Sequence, residues 1–318
     1  MQNAAGLCQT CRQTGGFCCK EEIPVMYELI RISENCSYIQ SPAKIGLVRT
    51  GPDTVCLIDS GNDKDAGKKV KRILDAEGWT LEAIYNTHSH ADHIGGNQYL
   101  QKQTHCKIYA PGIEQCLSRH PILEPAFLYG ANPPGELRHK FLMAQPSDVL
   151  PLTKEVLPAG LKMFPLPGHS WDMVGFRTRD DIVLLADCLV SRETLEKYQL
   201  TYVINIQAYL DTLEAVKKME AKLFIPSHAD PTDDIVPLAQ YNIDKVHEIA
   251  DTILNICKEP CSYDFILQKI FDHYSLRMNF EQHELVGCAT RSYLTWLKEQ
   301  GRLQAVIENN LLLWNSMG

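Results

Sequence analysis

The segment NTHSHADHIGG (86–96) sets His88, His90, Asp92 and His93 within six residues, directly after the apolar run LEAIYN (81–86). Imidazole nitrogens and carboxylate oxygens are the donors that zinc takes, at about 2.0–2.2 Å. In a loop leaving a strand, His88 and His90 can point at one ion, while Asp92 and His93, opening the next helix, can point at a second. Two ions about 3.5–4 Å apart need further ligands, including one that both share. His169 in PLPGHS, Asp187 in LLADC and His228 in IPSHAD meet that need, because each ends an apolar, strand-like run, where a sheet delivers side chains to a common edge. Any one histidine so placed is more often a hydrogen-bonded structural residue than a ligand. Five histidines and two aspartates in equivalent positions point to a dinuclear metal site. His105, His120, His139, His247, His273 and His283 fall in helical or polar contexts and receive no role.

The elements that would carry these residues alternate β-rich and helical runs from Met26 onward. MYELIRI (26–32), CSYIQS (36–41), KIGLVRT (44–50) and TVCLIDS (54–60), parted by turn-like residues, read as an antiparallel meander. Residues 64–77 read as a helix ended by Gly78, with Ala66, Val70, Ile73 and Leu74 on one face. LKMFPL (161–166), MVGFRT (173–178) and DIVLLAD (181–187) read as strands, a helix fits near 208–220, and LFIPSH (223–228) closes the series. This order implies an α/β protein with sheets covered by helices on both outer faces.

After about residue 242 the character changes to helices, with Ile243, Val246, Ala250, Ile253 and Cys257 on one face of the first and Ser262 capping the next. Leu285, Val286, Ala289, Tyr293, Leu294 and Leu297 mark a longer third helix. LQAVI (303–307) and LLLW (311–314), joined through Asn309 and Asn310, read as a hairpin, because Asn tolerates the positive φ of a tight turn. Three helices and a hairpin suggest a winged-helix-like unit. Residues 245–318 hold seven Lys/Arg against nine Asp/Glu, which favours packing or homodimerisation over DNA binding. The expected division is a disordered tail over 1–25, a catalytic domain over 26–242 and the winged-helix-like domain over 243–318.

A net charge of −8 gives no general attraction to polyphosphate, so nucleic acid is not an expected partner. No run approaches the roughly 20 apolar residues of a membrane span, and the chain reads as cytoplasmic. Most of the twelve cysteines are scattered, and Cys56 and Cys188 sit inside apolar runs, as reduced thiols do. Cys8-x2-Cys11 has half of a zinc-knuckle spacing, but the polar stretch around it has too few apolar residues to offset ordering entropy.

The order His-x-His-x-Asp-His (88–93), Gly-His-Ser (168–170), Ala-Asp-Cys (186–188) and Ser-His (227–228) resembles the metallo-β-lactamase superfamily, closer to its glyoxalase II and lactonase branch than to true β-lactamases. The resemblance spans about residues 26–235. It implies an αββα sandwich holding two zinc ions, with iron or manganese as alternatives: one on His88, His90 and His169, the other on Asp92, His93 and His228, with Asp187 bridging. It also implies that Asp59 in LIDSG holds the ligand loop by hydrogen bonds. Asp187 stands where the common zinc β-lactamases place a Cys, and the basic C-terminal residues by which glyoxalase II grips glutathione are not recognisable. The expected activity is hydrolysis of a small ester, thioester or lactone by a hydroxide that the two ions share, with Asp92 orienting it and relaying its proton. A metal-dependent ribonuclease, or an oxygenase using one iron on glutathione persulfide, are the alternatives. Trp171, Asp172, Tyr198 and Tyr202 lie near the ligands in sequence and have packing explanations of equal weight.

Overall fold

The computed structural model describes residues 26–317; the Cys8 and Cys11 motif and the expected tail lie outside them. Seven strands form the first sheet in sequence order: β1 (Leu29–Arg31), β2 (Cys36–Ile39), β3 (Ile45–Arg49), β4 (Thr54–Ile58), β5 (Thr80–Tyr85), β6 (Lys107–Ala110) and β7 (Val149–Pro151). The first four run antiparallel, as the short turns between them require, and the last three join in parallel through helical crossovers. Four strands form the second sheet, β8 (Lys162–Pro165), β9 (Val174–Arg177), β10 (Ile182–Val190) and β11 (Leu223–His228), in the order β11-β10-β9-β8.

Period-two alternation explains how the layers stack. On β4, Val55 and Leu57 pack outward with Val70 and Leu74 of α1 (Lys64–Glu77), while Cys56 and Ile58 face inward. On β10, Leu184 meets the first sheet's inner face with Phe176, while Val183 and Leu185 face outward onto α7 (Ile206–Val216). The result is an αββα sandwich. Helix α1 starts where the Asp63 carboxylate accepts from Ala66 N at 2.8 Å and stops at Gly78, which takes the left-handed φ of 70°. Between them lie the short helices α2 (Ala91–Ile94), α3 (Asn97–Thr104), α4 (Glu114–Arg119), α5 (Leu123–Tyr129) and α6 (Arg192–Tyr198).

The C-terminal helices are α8 (Val236–Ile256), α9 (Tyr263–His273) and α10 (Phe280–Glu299), with a small sheet of β12 (Cys261–Ser262), β13 (Leu303–Glu308) and β14 (Leu311–Ser316). The β13–β14 turn places Asn309 at φ 50° and Asn310 at φ 63°. A boundary at residue 242 passes through α8, which starts at Val236 because Pro237 suits a first helical turn. Ile243 and Ile253 of α8, Ile270 of α9 and Leu294 of α10 share one core with Val183, Leu185 and Leu213 of the second sheet and its helix. The eight cysteines among the described residues are free thiols. No helix among those residues is long and apolar enough to cross a membrane.

Candidate metal centre

Strand ends of both sheets and one bulge bring the seven singled-out residues together. His88 and His90 lie in the loop leaving β5, and Asp92 and His93 open α2. His169 follows Gly168, whose φ of 124° and close approach to Tyr209 leave no room for a side chain; a Cβ there would lie 2.3 Å from Tyr209 N. Asp187 sits within β10 where the pairing with β11 shifts register, and Ala186 just before it takes φ 49°. Such bulges re-aim side chains beside functional sites. His228 ends β11.

Two clusters result, His88 with His90 and His169, and Asp92 with His93, Asp187 and His228, each with its donor atoms within 4.8 Å of one another. In the first, His90 Nδ1 lies 3.0 Å from both His88 Nε2 and His169 Nε2. Nitrogens bound tetrahedrally at about 2.0–2.1 Å would stand roughly 3.3 Å apart, so the spacing suits a single small ion. In the second, His228 Nε2 is 3.2 Å from Asp92 Oδ2 and 3.1 Å from Asp187 Oδ2. Asp187 joins the clusters: its Oδ1 is 3.1 Å from His93 Nε2 and its Oδ2 is 3.6 Å from His169 Nε2.

Each histidine has its other ring nitrogen engaged. His88 Nδ1 meets Thr87 Oγ1 at 2.9 Å, His93 Nδ1 meets Asp59 Oδ2 at 2.8 Å, and His90 Nε2 faces Glu124 Oε1 at 3.4 Å. His169 Nδ1 and His228 Nδ1 donate to the carbonyls of Tyr202 and Pro42 at 2.8 and 3.0 Å. Asp59, itself at φ 65°, also accepts from Thr87 N and Thr87 Oγ1 at 2.8 Å each, so it holds the ligand loop at three points. Such partners fix ring orientation around a metal. The nitrogens left free all face the clusters. His93 Nε2 and Asp187 Oδ1 are fully buried yet out of hydrogen-bonding alignment, an arrangement that a cation between them would satisfy.

The two clusters differ electrically. Burial, then neighbouring imidazoles, lowers His88, and burial holds His90 and His169 down at about 4, so all three are neutral donors. Burial also acts against charge in the second cluster, but Asp187 and Asp92 outweigh it and raise His93 well above its usual range and His228 to about 10. In return His93 and His228 outweigh burial at Asp92 and Asp187 and hold both carboxyls below theirs.

Two carboxylates that sequence reading passed over complete the surroundings. Glu114 on α4 is fully buried and accepts from Ser89 N at 3.1 Å, Ser89 Oγ at 2.6 Å, Ser170 Oγ at 2.5 Å and Asp172 N at 3.1 Å. It thereby ties the loop of His88 and His90 to the loop of His169. Glu124 on α5 stands behind His90, and burial, then Glu114 and Asp92, raises its carboxyl to about 8. An acid inside an otherwise apolar run, as in ILEPAFL (122–128), was the available signal. Of the residues near the ligands in sequence, Trp171 and Tyr202 line the cavity beside His90, Asp172 accepts from Ile113 N, and Tyr198 is exposed and lines none of it.

Residues 40–228 match the family described as the metallo-beta-lactamase superfamily, and the chain belongs to it. This membership, with the His/Asp clusters, implies a divalent metal. Curated relatives include the hydroxyacylglutathione hydrolases of Rhodopseudomonas palustris (strain BisB18), 55% identical over 151 residues (46% of this chain, 49% of the relative), and Nitrobacter winogradskyi, 41% identical over 141 residues (44% and 46%). The chain spans no more than about half the length of the curated relatives it matches. Among solved structures, a beta-lactamase domain protein from Burkholderia ambifaria has TM-score 0.70 at 16% identity, covering 94% of this chain and 96% of its own. A metallo-beta-lactamase family protein from Thermus thermophilus has TM-score 0.67 at 16% identity, covering 91% and 97%. A subclass B3 metallo-beta-lactamase of Bradyrhizobium japonicum has TM-score 0.55 at 17% identity but covers only 70% of this chain. The first two shares are too large to leave out residues 243–318, so the shared fold extends into the C-terminal helices.

Proposed function

We propose that this protein is a hydrolase of small esters, thioesters or lactones that works with two zinc ions, one on His88, His90 and His169 and the other on Asp92, His93 and His228, with Asp187 shared. The observation that carries the reading is that five histidines, each pinned through one ring nitrogen, turn the other into two clusters that Asp187 joins. Divalent cations bound there would acidify a water and polarise a carbonyl. The two aspartates then divide the remaining work by exposure. Asp187, with 6% of its side chain accessible, is closed off from substrate and serves to balance positive charge between the clusters. Asp92, with 36% accessible, lines the cavity that opens at His90, and its Oδ2 can accept a proton from an attacking water and pass it to a leaving group.

The cavities that meet at His90 contain Glu124 and Glu281 and, among the described residues, no Lys or Arg, which supports a small uncharged substrate over a polyanion such as RNA. Residues 243–318 serve as a packing unit, a reading supported by the core that Ile253, Ile270 and Leu294 share with the second sheet. The test is metal analysis of the full chain purified without added metal, followed by assay of thioesters, lactones and short RNAs on zinc-loaded protein. The expected result is two zinc per chain with thioester or lactone turnover. One iron per chain, or turnover of RNA alone, overturns the reading.

A further inference from the structure

A cavity of about 480 Å³, within the ~300–1,000 Å³ range of small-molecule sites, opens directly beside the first cluster, with His90 and Ser170 in its wall. Apart from Glu124 and Tyr202, the rest of that wall is apolar, its large side chains being Ile113, Leu117, Leu123, Phe127, Trp171 and Ile204. Four of these six remain open to solvent, Ile113 at 47%, Leu123 at 44%, Phe127 at 44% and Trp171 at 47% exposure. Large apolar side chains gathered at a cavity mouth mark a binding surface more often than a packing accident. Phe127 and Trp171 meet edge to face with ring centres 5.8 Å apart, which joins α5 to the loop of His169 across the opening. Trp171 is two residues from His169, so whatever lies against its ring lies next to the donors of the first cluster. The polar groups that enter, Glu124 and Tyr202, stand on the His90 side. Arg291, on α10 behind Phe127, lines a neighbouring cavity instead and has its guanidinium stacked on Tyr263 at 4.3 Å.

Resting on the hydrolase reading, we infer that this chamber is the acyl pocket and that it selects uncharged, apolar acyl chains of medium length. The carbonyl would lie by His90, the chain would run along Leu123, Phe127 and Trp171, and the polar leaving group would stay outside the chamber. A carboxylate at the chain end would lose its hydration among apolar side chains with no cation to meet it. A charged glutathione arm would find no better partner there.

The decisive measurement is calorimetric titration of the full chain with S-butyl, S-hexyl and S-octyl thioethers of N-acetylcysteamine, which lack the thioester carbonyl and so cannot be cleaved at sulfur by hydrolysis. Kd should fall roughly fourfold per methylene, about 250-fold from butyl to octyl. Trp171→Ala and Phe127→Ala, both at exposed positions, should each reduce that gain to less than twofold per methylene. On zinc-loaded protein, kcat/KM for acyl thioesters of N-acetylcysteamine should climb with chain length in the same way, and the octanedioyl monothioester, which ends in a carboxylate, should fall at least 20-fold below the octanoyl one. A Kd independent of chain length, or equal turnover of the carboxylate-ended chain, overturns the pocket assignment while leaving the hydrolase reading intact. Chain-length-dependent binding with no turnover of any thioester, ester or lactone overturns the hydrolase reading instead and leaves the chamber an apolar ligand site.

Discussion

His88, His90 and His169 offer three neutral nitrogens, whereas Asp92, His93, Asp187 and His228 place two carboxylates among two histidines. Both clusters draw on the same six-residue motif, yet they would hold a cation by different physics. The first relies on bonding to imidazole and carries no charge of its own, a preference that suits zinc over harder ions. The second relies on charge: without a cation its two carboxylates are matched by His93 and His228, whose protons a metal would displace. Asp187 makes the two interdependent, because its oxygens reach His93 and His228 on one side and His169 on the other.

Removing the shared residue should therefore have the largest effect. In Asp187→Asn the charge between the clusters is lost, total zinc should drop to one per chain or below, and activity should fall about 10³-fold, since several kcal/mol of charge stabilisation goes with it. His90→Ala should strike one side alone. It removes one of three nitrogens, so metal analysis should find about one zinc retained in the carboxylate cluster, with activity down about 10²-fold or more. Asp92→Asn should be milder in metal and selective in rate: an amide keeps an oxygen donor but relays no proton, so zinc content should stay near wild type while kcat falls about 10²-fold and KM changes little. If Asp187→Asn stays loaded and active while Asp92→Asn loses both ions, the division of roles is wrong.

The uneven legibility of the site has a physical origin. The motif residues stood out because a loop leaving a strand packs donors close together in sequence, and strands β4, β5 and β10 announced themselves by apolar runs. The helices α4 and α5 left no comparable pattern, since each has fewer than eight residues and too few turns for periodicity to register. Glu114 and Glu124 were missed with them: an isolated acid reads as a surface charge, and only the fold shows that Glu114 is fully buried between two loops far apart in sequence. The start of α8 at Val236, six residues before the change of character visible in the sequence, was marked only by Pro237 in its first turn.

Glu114 gives the smallest and most discriminating of these effects. Glu114→Gln keeps the shape but turns one acceptor oxygen into a donor facing the donors of Ser89 or of Ser170 and Asp172. The first cluster should then lose about tenfold in zinc affinity by chelator competition, within the ~10–100-fold range for partners behind metal ligands, while the second is unchanged. An equal loss in both clusters would mean that Glu114 supports the fold in general.

Two cations held by clusters that share Asp187 are central to the proposed chemistry, and anomalous diffraction at the zinc edge tests them most directly. Crystals of the zinc-loaded full chain should give two peaks roughly 3.5–4 Å apart, one among His88, His90 and His169 and one among Asp92, His93 and His228, with Asp187 touching both. A single peak, or two peaks of which Asp187 touches only one, would contradict it.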